Sequence, residues 1–422
     1  MSLHVTGDRI RHARLLRRLT SRVVSDAMGW APATQTRLEQ AQEKELDKNT
    51  ALRLAETLRV SVNFLCAPTP SPLGANGLLF RAPKSVTQQE RDSLAEYMRM
   101  CGDFAEWLDS RHHLPPVTIP RLHSGDDVTD AARAVRGVFG IGADQPIGHL
   151  MHNAERCGVI VVVRTLQSTD PDLWNRAGDT SIERPDRGER HFGCSAWTGT
   201  YAERPIMLVK SIESWERTRW TVAHELGHIV LHHQELDPDA ELTASAFASE
   251  LLAPAGTLVA QLPEHVTLRE LVPLKMQWGI SLGALIRHLR HRQLISHERA
   301  DTLSRQLYTR VNPGTGRTWG MDEPGWDERV VERPRLLSRW AERCAGTADP
   351  EAIHQLTGMW PSDLLRTLLT AQRRANGAIT SVPRQLRGSD SSTVVSLSAR
   401  RDLNLSSKSQ ELGQMNVDDE MM

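Results

Sequence analysis

No two cysteines in this chain stand at C-x-x-C spacing. The five present (Cys66, Cys101, Cys157, Cys194 and Cys344) are scattered and odd in number. That argues against a disulfide framework and against a cysteine-built zinc cluster. An excess of charge is also missing: 51 Lys+Arg stand against 52 Asp+Glu, so contact with nucleic acid needs a local patch. No apolar run approaches the ~18 residues of a membrane span, and the longest, Val159 to Val163, reads as a buried strand. The opening MSLHVTGDRIRHAR has no apolar stretch of signal-peptide type, so the chain is expected in the cytoplasm with no membrane partner. What is present is length, 422 residues, enough for two or three domains with separate cores.

Residues 7 to about 66 read as short helices in quick succession, broken at Gly29, Asn49 and Val60-Ser61. Pro68, Pro70 and Pro72 with Gly74 and Gly77 mark a linker. Thr87-Gln88-Gln89-Glu90 has the form of a capping box, and Leu94, Met98, Cys101, Phe104 and Leu108 follow at helical spacing. After Pro115-Pro116 and Pro120, helices are expected at 131–139 and 148–156, strands at 159–163 and 206–209, then a long helix and two more near 241–252 and 282–292. Residues 168–192 read as an exposed polar loop, 324–375 as helical, and the Ser-rich end beyond Gly388 as disordered. The expected division is 1–68, 69–125 (linker and helical segment), 126–310, 311–388 and 389–422.

The long helix carries His224-Glu225-Leu226-Gly227-His228. Histidines four apart project from one helical face and can reach one ion. Neutral imidazole is a good zinc ligand, and a catalytic zinc keeps a position open for water. Glu225, beside the first histidine, is placed to take a proton from the attacking water and pass it to the leaving amine. Ala223, Leu226, Ile229 and Val230 supply an apolar stripe, so the helix is expected to be half buried. Gly227 costs about 1 kcal/mol of helix propensity relative to Ala, which close approach of another backbone or a substrate would justify. A third ligand is required, and Glu241 and Glu250 are the carboxylates of the next helix. Glu250 reads as a surface residue of an amphipathic helix, His232 as a solvated helix-end histidine, and Cys194 as a small buried residue.

The HELGH motif, the run Glu241 to Pro254 (E-x-x-A-x-x-F-A-x-x-L-L-x-P) and the approach Arg217-Thr-Arg219-Trp-Thr-Val-Ala resemble the ImmA/IrrE family of metallopeptidases. The resemblance implies a zincin-like domain with a small sheet and puts the third zinc ligand on Glu241. The chain departs from the family at Ser245, usually Asn, and at Ala253, often Met.

Arginines 9, 11, 14, 17, 18, 22 and 37 stand against only Asp8, Asp26 and Glu39 in the first forty residues. Leu19 to Gly29 and Ala31 to Gln40 read as two short helices across a glycine turn, the helix-turn-helix arrangement. Residues 7–66 resemble the Xre/lambda-repressor-like family, with Ser21, Ser25 and Gln40-Ala41 as departures. The resemblance implies that Arg14 pairs with Glu39, that Ala33, Thr34, Thr36 and Arg37 face a major groove, and that Arg22 and Arg18 lie near phosphates. Arg81-Ala82-Pro83 and Gln277-Trp278-Gly279-Ile280-Ser281 fit a known bacterial pairing of the two families.

The expected fold is therefore α+β and mainly helical: an all-α helix-turn-helix domain, a zincin-like metallopeptidase domain and a disordered tail. The expected function is a DNA-binding transcriptional regulator with a Zn2+-dependent endopeptidase domain. Its partners would be a double-stranded DNA operator, a protein substrate of Xre-repressor type, and a second copy of itself, because such proteins read paired half-sites. Two alternatives stand beside it. One is a regulator whose zinc domain senses or binds without proteolysis; the other is an antitoxin-like or phage-related interaction protein.

Overall fold

A computed structural model of the chain describes residues 2–74, 87–164, 193–210, 214–232 and 239–369. The expected loop at 168–192, the tail beyond Gly388 and Arg81-Ala82-Pro83 lie outside the described residues. Residues 1–373 form one compact unit, and 374–422 a second that is wholly outside them. Among the described residues no helix is long and apolar enough to cross a membrane.

The chain opens with β1 (Ser2–Thr6), α1 (Gly7–Leu16), α2 (Ser21–Met28), α3 (Pro32–Gln40), β2 (Glu43–Asp47), α4 (Lys48–Thr57) and α5 (Val62–Cys66). Local chemistry sets these boundaries. The Thr20 side chain accepts from the Val23 N–H at the start of α2, and Gly29 ends it at φ +69. Pro32 opens α3, where its missing N–H costs no bond. The expectation of an all-α segment fails at β1 and β2, which pair antiparallel from Ser2↔Asp47 to Thr6↔Glu43. Glu43, Lys44, Glu45 and Asp47 are exposed. This strand is held by backbone pairing and has no apolar alternation to announce it.

A mixed sheet sits at the centre: β3 (Ile160–Arg164), β4 (Gly193–Thr198) and β5 (Arg204–Lys210), in the order β3-β5-β4. β3 runs parallel to β5, and β4 antiparallel. Ser195 and Trp197 belong to a strand that was not among those expected, and Gly-Cys-Ser-Ala-Trp-Thr, with no β-branched residue before its last position, did not signal it. Successive side chains point to opposite faces, and both faces are buried. Val161, Val163, Trp197, Met207 and Val209 join one core with α9 (Trp215–Leu231) and α10 (Ala240–Leu252). Ile160, Val162, Cys194, Ala196, Ile206 and Leu208 join the other with α1, α6 (Gln88–Asp109) and α17 (Ser362–Leu368). Between these lie α7 (Val128–Phe139), α8 (Leu150–Arg156), α11 (Ala255–Val259), α12 (Leu268–Trp278), α13 (Leu282–His291), α14 (His297–Thr309), α15 (Leu336–Ala345) and α16 (Pro350–Thr357).

Ion pairs fasten the N-terminal helices to this frame. Arg9 donates to both Asp103 oxygens at 3.0 and 2.9 Å, His12 pairs with Glu96, and Arg17 pairs with Asp363. The expected linker also pairs with the sheet: the Gly74 N–H donates to Trp197 O at 2.7 Å and the Gly199 N–H to Pro72 O at 3.1 Å.

Helices α8 and α15 are joined by two carboxylates, Glu155, which is buried, and Glu332, which is partly so. Glu332 accepts from Arg219 and from the Met151 N–H at the start of α8. Glu155 accepts from the Arg335 and Leu336 N–H groups at the start of α15, both at 2.8 Å. Burial pushes the Glu155 carboxyl up to about 7, against the pull of those N–H groups and of Arg339. Because its folded pKa lies above the ordinary 4.5, the folded state binds more protons in between. Stability should fall as pH rises from about 4.5 to about 7, by at most about 1.4 kcal/mol per unit, and level off above. Glu155→Gln is expected to flatten this part of a plot of urea midpoint against pH. An unchanged slope would refute the assignment.

Candidate metal centre

Helix α9 begins where Ser214 accepts from the Arg217 N–H. It was expected to be half buried, and it is buried on nearly every side, with sheet, α10, α8 and the 320s segment packed around it. Its charged residues are paired accordingly. Glu216 meets Lys275 at 3.1 Å, and Arg219 donates to Ile147 O and Gly148 O at 2.8 Å as well as to Glu332. Gly227 sits against α10: a Cβ there would lie 3.1 Å from the Ala244 Cα and from the Phe247 ring. Close backbone approach therefore explains that glycine.

This approach brings the first turn of α10 over the two histidines. Glu241 is three residues ahead of Ala244, on the same helical face. His228 Nε2 lies 3.1 Å from His224 Nε2, and the Glu241 carboxylate oxygens lie 3.3 Å from each. Two donors held about 2.0 Å from one ion at the tetrahedral angle are about 3.3 Å apart. The three side chains thus fit one face of a tetrahedral metal site, and they form a possible ligand group among the described residues. The histidine side chains are 6% and 5% exposed and that of Glu241 26%, so the cluster opens to solvent on its carboxylate side. Burial disfavours the charge on Glu241, but hydrogen bonds and charge from the two rings outweigh it and hold the carboxyl well below the usual range. Burial likewise opposes a charged His228, and the bond to Glu241 with the charges of Glu225 and Glu241 outweighs it, leaving that ring's pKa raised.

Glu225 points to the sheet, where β4 receives it. Ser195 Oγ donates to Glu225 Oε2 at 2.9 Å, in a buried contact. The other oxygen lies over Gly193, where a Cβ would come within 2.8 Å of Glu225 Cδ and closer still to Oε1. Burial raises the Glu225 carboxyl, partly offset by the two histidines and the Ser195 hydroxyl. Trp197 Nε1 donates to Ile229 O at 3.2 Å and pins β4 to α9. Cys194 faces the opposite core, its thiol pushed up to about 12 by burial and the Glu225 charge; a small buried residue was expected there.

Two neighbouring side chains differ from expectation. Glu250 is 2% exposed, not on the surface. It accepts from Arg292 at 2.8 Å and from the Ala255 N–H at 3.2 Å, away from the cluster. His232 is 1% exposed rather than solvated, with its Nδ1 3.1 Å from His228 Nδ1. Its spacing of four from His228 repeats the ligand spacing, a signal that was legible. Gly193 and Ser195 had none, since only the sheet brings them to Glu225. His233 lies outside the described residues.

At the N-terminus, Arg14 pairs with both Glu39 oxygens at 2.6 and 2.7 Å, as the family resemblance implied. Ala33, Thr34, Thr36 and Arg37 are exposed on α3, whereas Gln35 and Leu38 are buried. Arg22 is exposed and 3.7 Å from Asp26. Arg18 instead reaches Glu90 on α6 at 3.6 Å.

Residues 181–290 match the family model described as the IrrE N-terminal-like domain of Peptidase_M78. That span carries His224, Glu225, His228 and Glu241, and it agrees with the resemblance drawn from HELGH. No curated protein matches the chain.

A methyl group at Gly193 has nowhere to go but into the Glu225 carboxylate. Gly193→Ala is expected to displace that carboxylate and break its bond from Ser195, while the His224–His228–Glu241 distances stay as they are. A crystal structure of the variant with Glu225 unmoved would show the packing to be otherwise.

Proposed function

We propose that this protein is a zinc-dependent endopeptidase carried on an Xre-type helix-turn-helix, a cytoplasmic transcriptional regulator that acts at a DNA operator. The observation that carries the hydrolase part is the convergence of His224 Nε2, His228 Nε2 and the Glu241 carboxylate at 3.1–3.3 Å, with Glu225 anchored beside them. His224, His228 and Glu241 would hold the zinc, in a zincin-like domain over 126–310. A zinc ion there supplies a Lewis acid and lowers the pKa of water toward about 7.

The chain's own groups do the rest. Ser195 occupies Glu225 Oε2, so Oε1 is the atom that takes the proton from water attacking the scissile carbonyl. Burial raises the pKa of that carboxyl, which suits a group that must hold the proton and then give it to the leaving nitrogen as the C–N bond breaks. The glycine at position 193 leaves Oε1 room.

The regulatory part rests on α2, Gly29 and α3 within residues 1–68, and on the outward set Ala33, Thr34, Thr36 and Arg37, with Arg22 nearby for phosphate. The protein substrate is a repressor of Xre type, by analogy with the ImmA/IrrE family, and a homodimer would read paired half-sites. A second reading draws on the exposed acids Glu43, Glu45 and Asp47, which follow α3 in the chain and oppose phosphate. In that reading the N-terminal face contacts protein and the zinc domain is a sensor or interaction module.

Purified protein should hold one zinc, lost in His228→Ala and Glu241→Ala. Glu225→Gln should keep the metal and lose about 10²–10⁴-fold in peptide hydrolysis. In cells, the substrate is the protein that disappears with wild type and persists with Glu225→Gln. A regulatory output unchanged by Glu225→Gln but abolished by Arg37→Ala would defeat the peptidase reading and favour the sensor. If α3 reads bases, Arg37→Ala should weaken operator binding by about 1–3 kcal/mol in a titration at fixed salt. Equal affinity of wild type and variant would remove α3 from the interface.

A further inference from the structure

We propose that His232 is a positioning residue for the metal centre: it fixes the tautomer and the rotation of His228, so that Nε2 is presented as the donor atom. The inference rests on the metal reading above and extends it to a side chain outside the ligand set. His224, His228 and His232 follow one another at intervals of four on one face of α9 and its C-terminal end. The Nε2 atoms of the first two converge with Glu241. His228 turns its other nitrogen away from the cluster, 3.1 Å from His232 Nδ1.

A neutral imidazole has one protonated nitrogen and one with a lone pair. If Nε2 of His228 binds metal, its proton is on Nδ1, and a nearby acceptor holds it there. His232 Nδ1 is that acceptor, and must carry no proton itself. The bond also stops the His228 ring from turning about its Cβ–Cγ axis.

The backbone is arranged for this contact. His232 is the C-cap residue of α9, at φ −117 and ψ 23, and its N–H still bonds to His228 O. Leaving the helix at that point lets its ring pack on His228 with centroids 5.2 Å apart. The ring is 1% exposed, so bulk water does not compete for the bond. His224 is held differently: its Nδ1 faces Ser245 Oγ at 3.4 Å, a longer contact to a hydroxyl that can either donate or accept.

The test uses the full chain loaded with zinc or cobalt(II). His232→Phe keeps a ring and removes the acceptor; His232→Asn offers a carboxamide oxygen near the place of Nδ1. His232→Phe should weaken zinc binding about 10–100-fold in chelator competition and shift the visible bands of the cobalt form. His232→Asn should restore most of both. A folded His232→Phe that holds zinc as tightly as wild type with unchanged cobalt bands overturns the proposal, as does His232→Asn no better than His232→Phe. A measurement on the unmutated protein covers a variant that fails to fold. In ¹⁵N-histidine spectra of the zinc form, the proton should be on His228 Nδ1 and absent from His232 Nδ1, and the reverse arrangement also overturns it. Wild type that binds no zinc would instead sink the metal reading itself.

Discussion

The contact of Gly227 with Ala244 is the constraint on which the centre depends. Helix axes normally stay about 8–10 Å apart because side chains stand between them. Removing the side chain at one crossing point, and leaving only a methyl at the other, lets α9 and α10 close until a Cβ on Gly227 would touch the Ala244 backbone. Glu241 lies one turn before that crossing and the histidines lie on either side of Gly227. The approach of Glu241 to the two histidines is thus set by backbone packing. Phe247, Ala248, Leu251 and Leu252 bury the remainder of α10 and keep the crossing fixed.

The second constraint is the sheet. Glu225 precedes Leu226, which is in the core, yet its carboxylate is buried with a single hydroxyl donor and two imidazoles for company. Burying such a group is costly unless its hydrogen bonds are met. β4 meets that need with Ser195 and makes space with Gly193, while Trp197 ties the strand to the carbonyl of Ile229. Period-two alternation does the sorting: Ser195 and Trp197 face α9, and Cys194 and Ala196 face α6. A one-residue slip of register would put a thiol against Glu225 and the hydroxyl into an apolar core.

Much of this was legible in the sequence, for identifiable reasons. Helices with caps and apolar periodicity, such as α2 and α6, declare themselves locally, and so do histidines spaced by one helical turn. The pairing of α9 with Glu241 needed family resemblance, because spacing along the chain between two helices says nothing of their crossing. β2 was invisible since Glu-Lys-Glu-Leu-Asp has no strand signature, and its pairing partner β1 lies some forty residues away. His232 and Glu250 were misread in the same way. Polar residues near helix ends are usually solvated, and only tertiary packing reveals that these two are enclosed, one by His228 and the other by Arg292 and the Ala255 N–H. A buried polar group is decided by what approaches from far along the chain, and no local pattern carries that information.

Polar contacts from far along the chain also fasten the N-terminal helices to the sheet. α1 lies between α3 and the sheet-backing helices, and it is bonded both ways: Arg14 to Glu39 on one side, Arg9 to Asp103, His12 to Glu96 and Arg17 to Asp363 on the other. Breaking a buried pair by removing one partner typically costs about 3–5 kcal/mol. Swinging the N-terminal helices as a group away from the sheet would break the pairs of Arg9, His12 and Arg17 at once and expose Ile10, Ala13 and Phe64 as well. The N-terminal helices are therefore not a freely tethered module. Whatever binds the outer face of α3 holds a body that includes β4, whose opposite side grips Glu225.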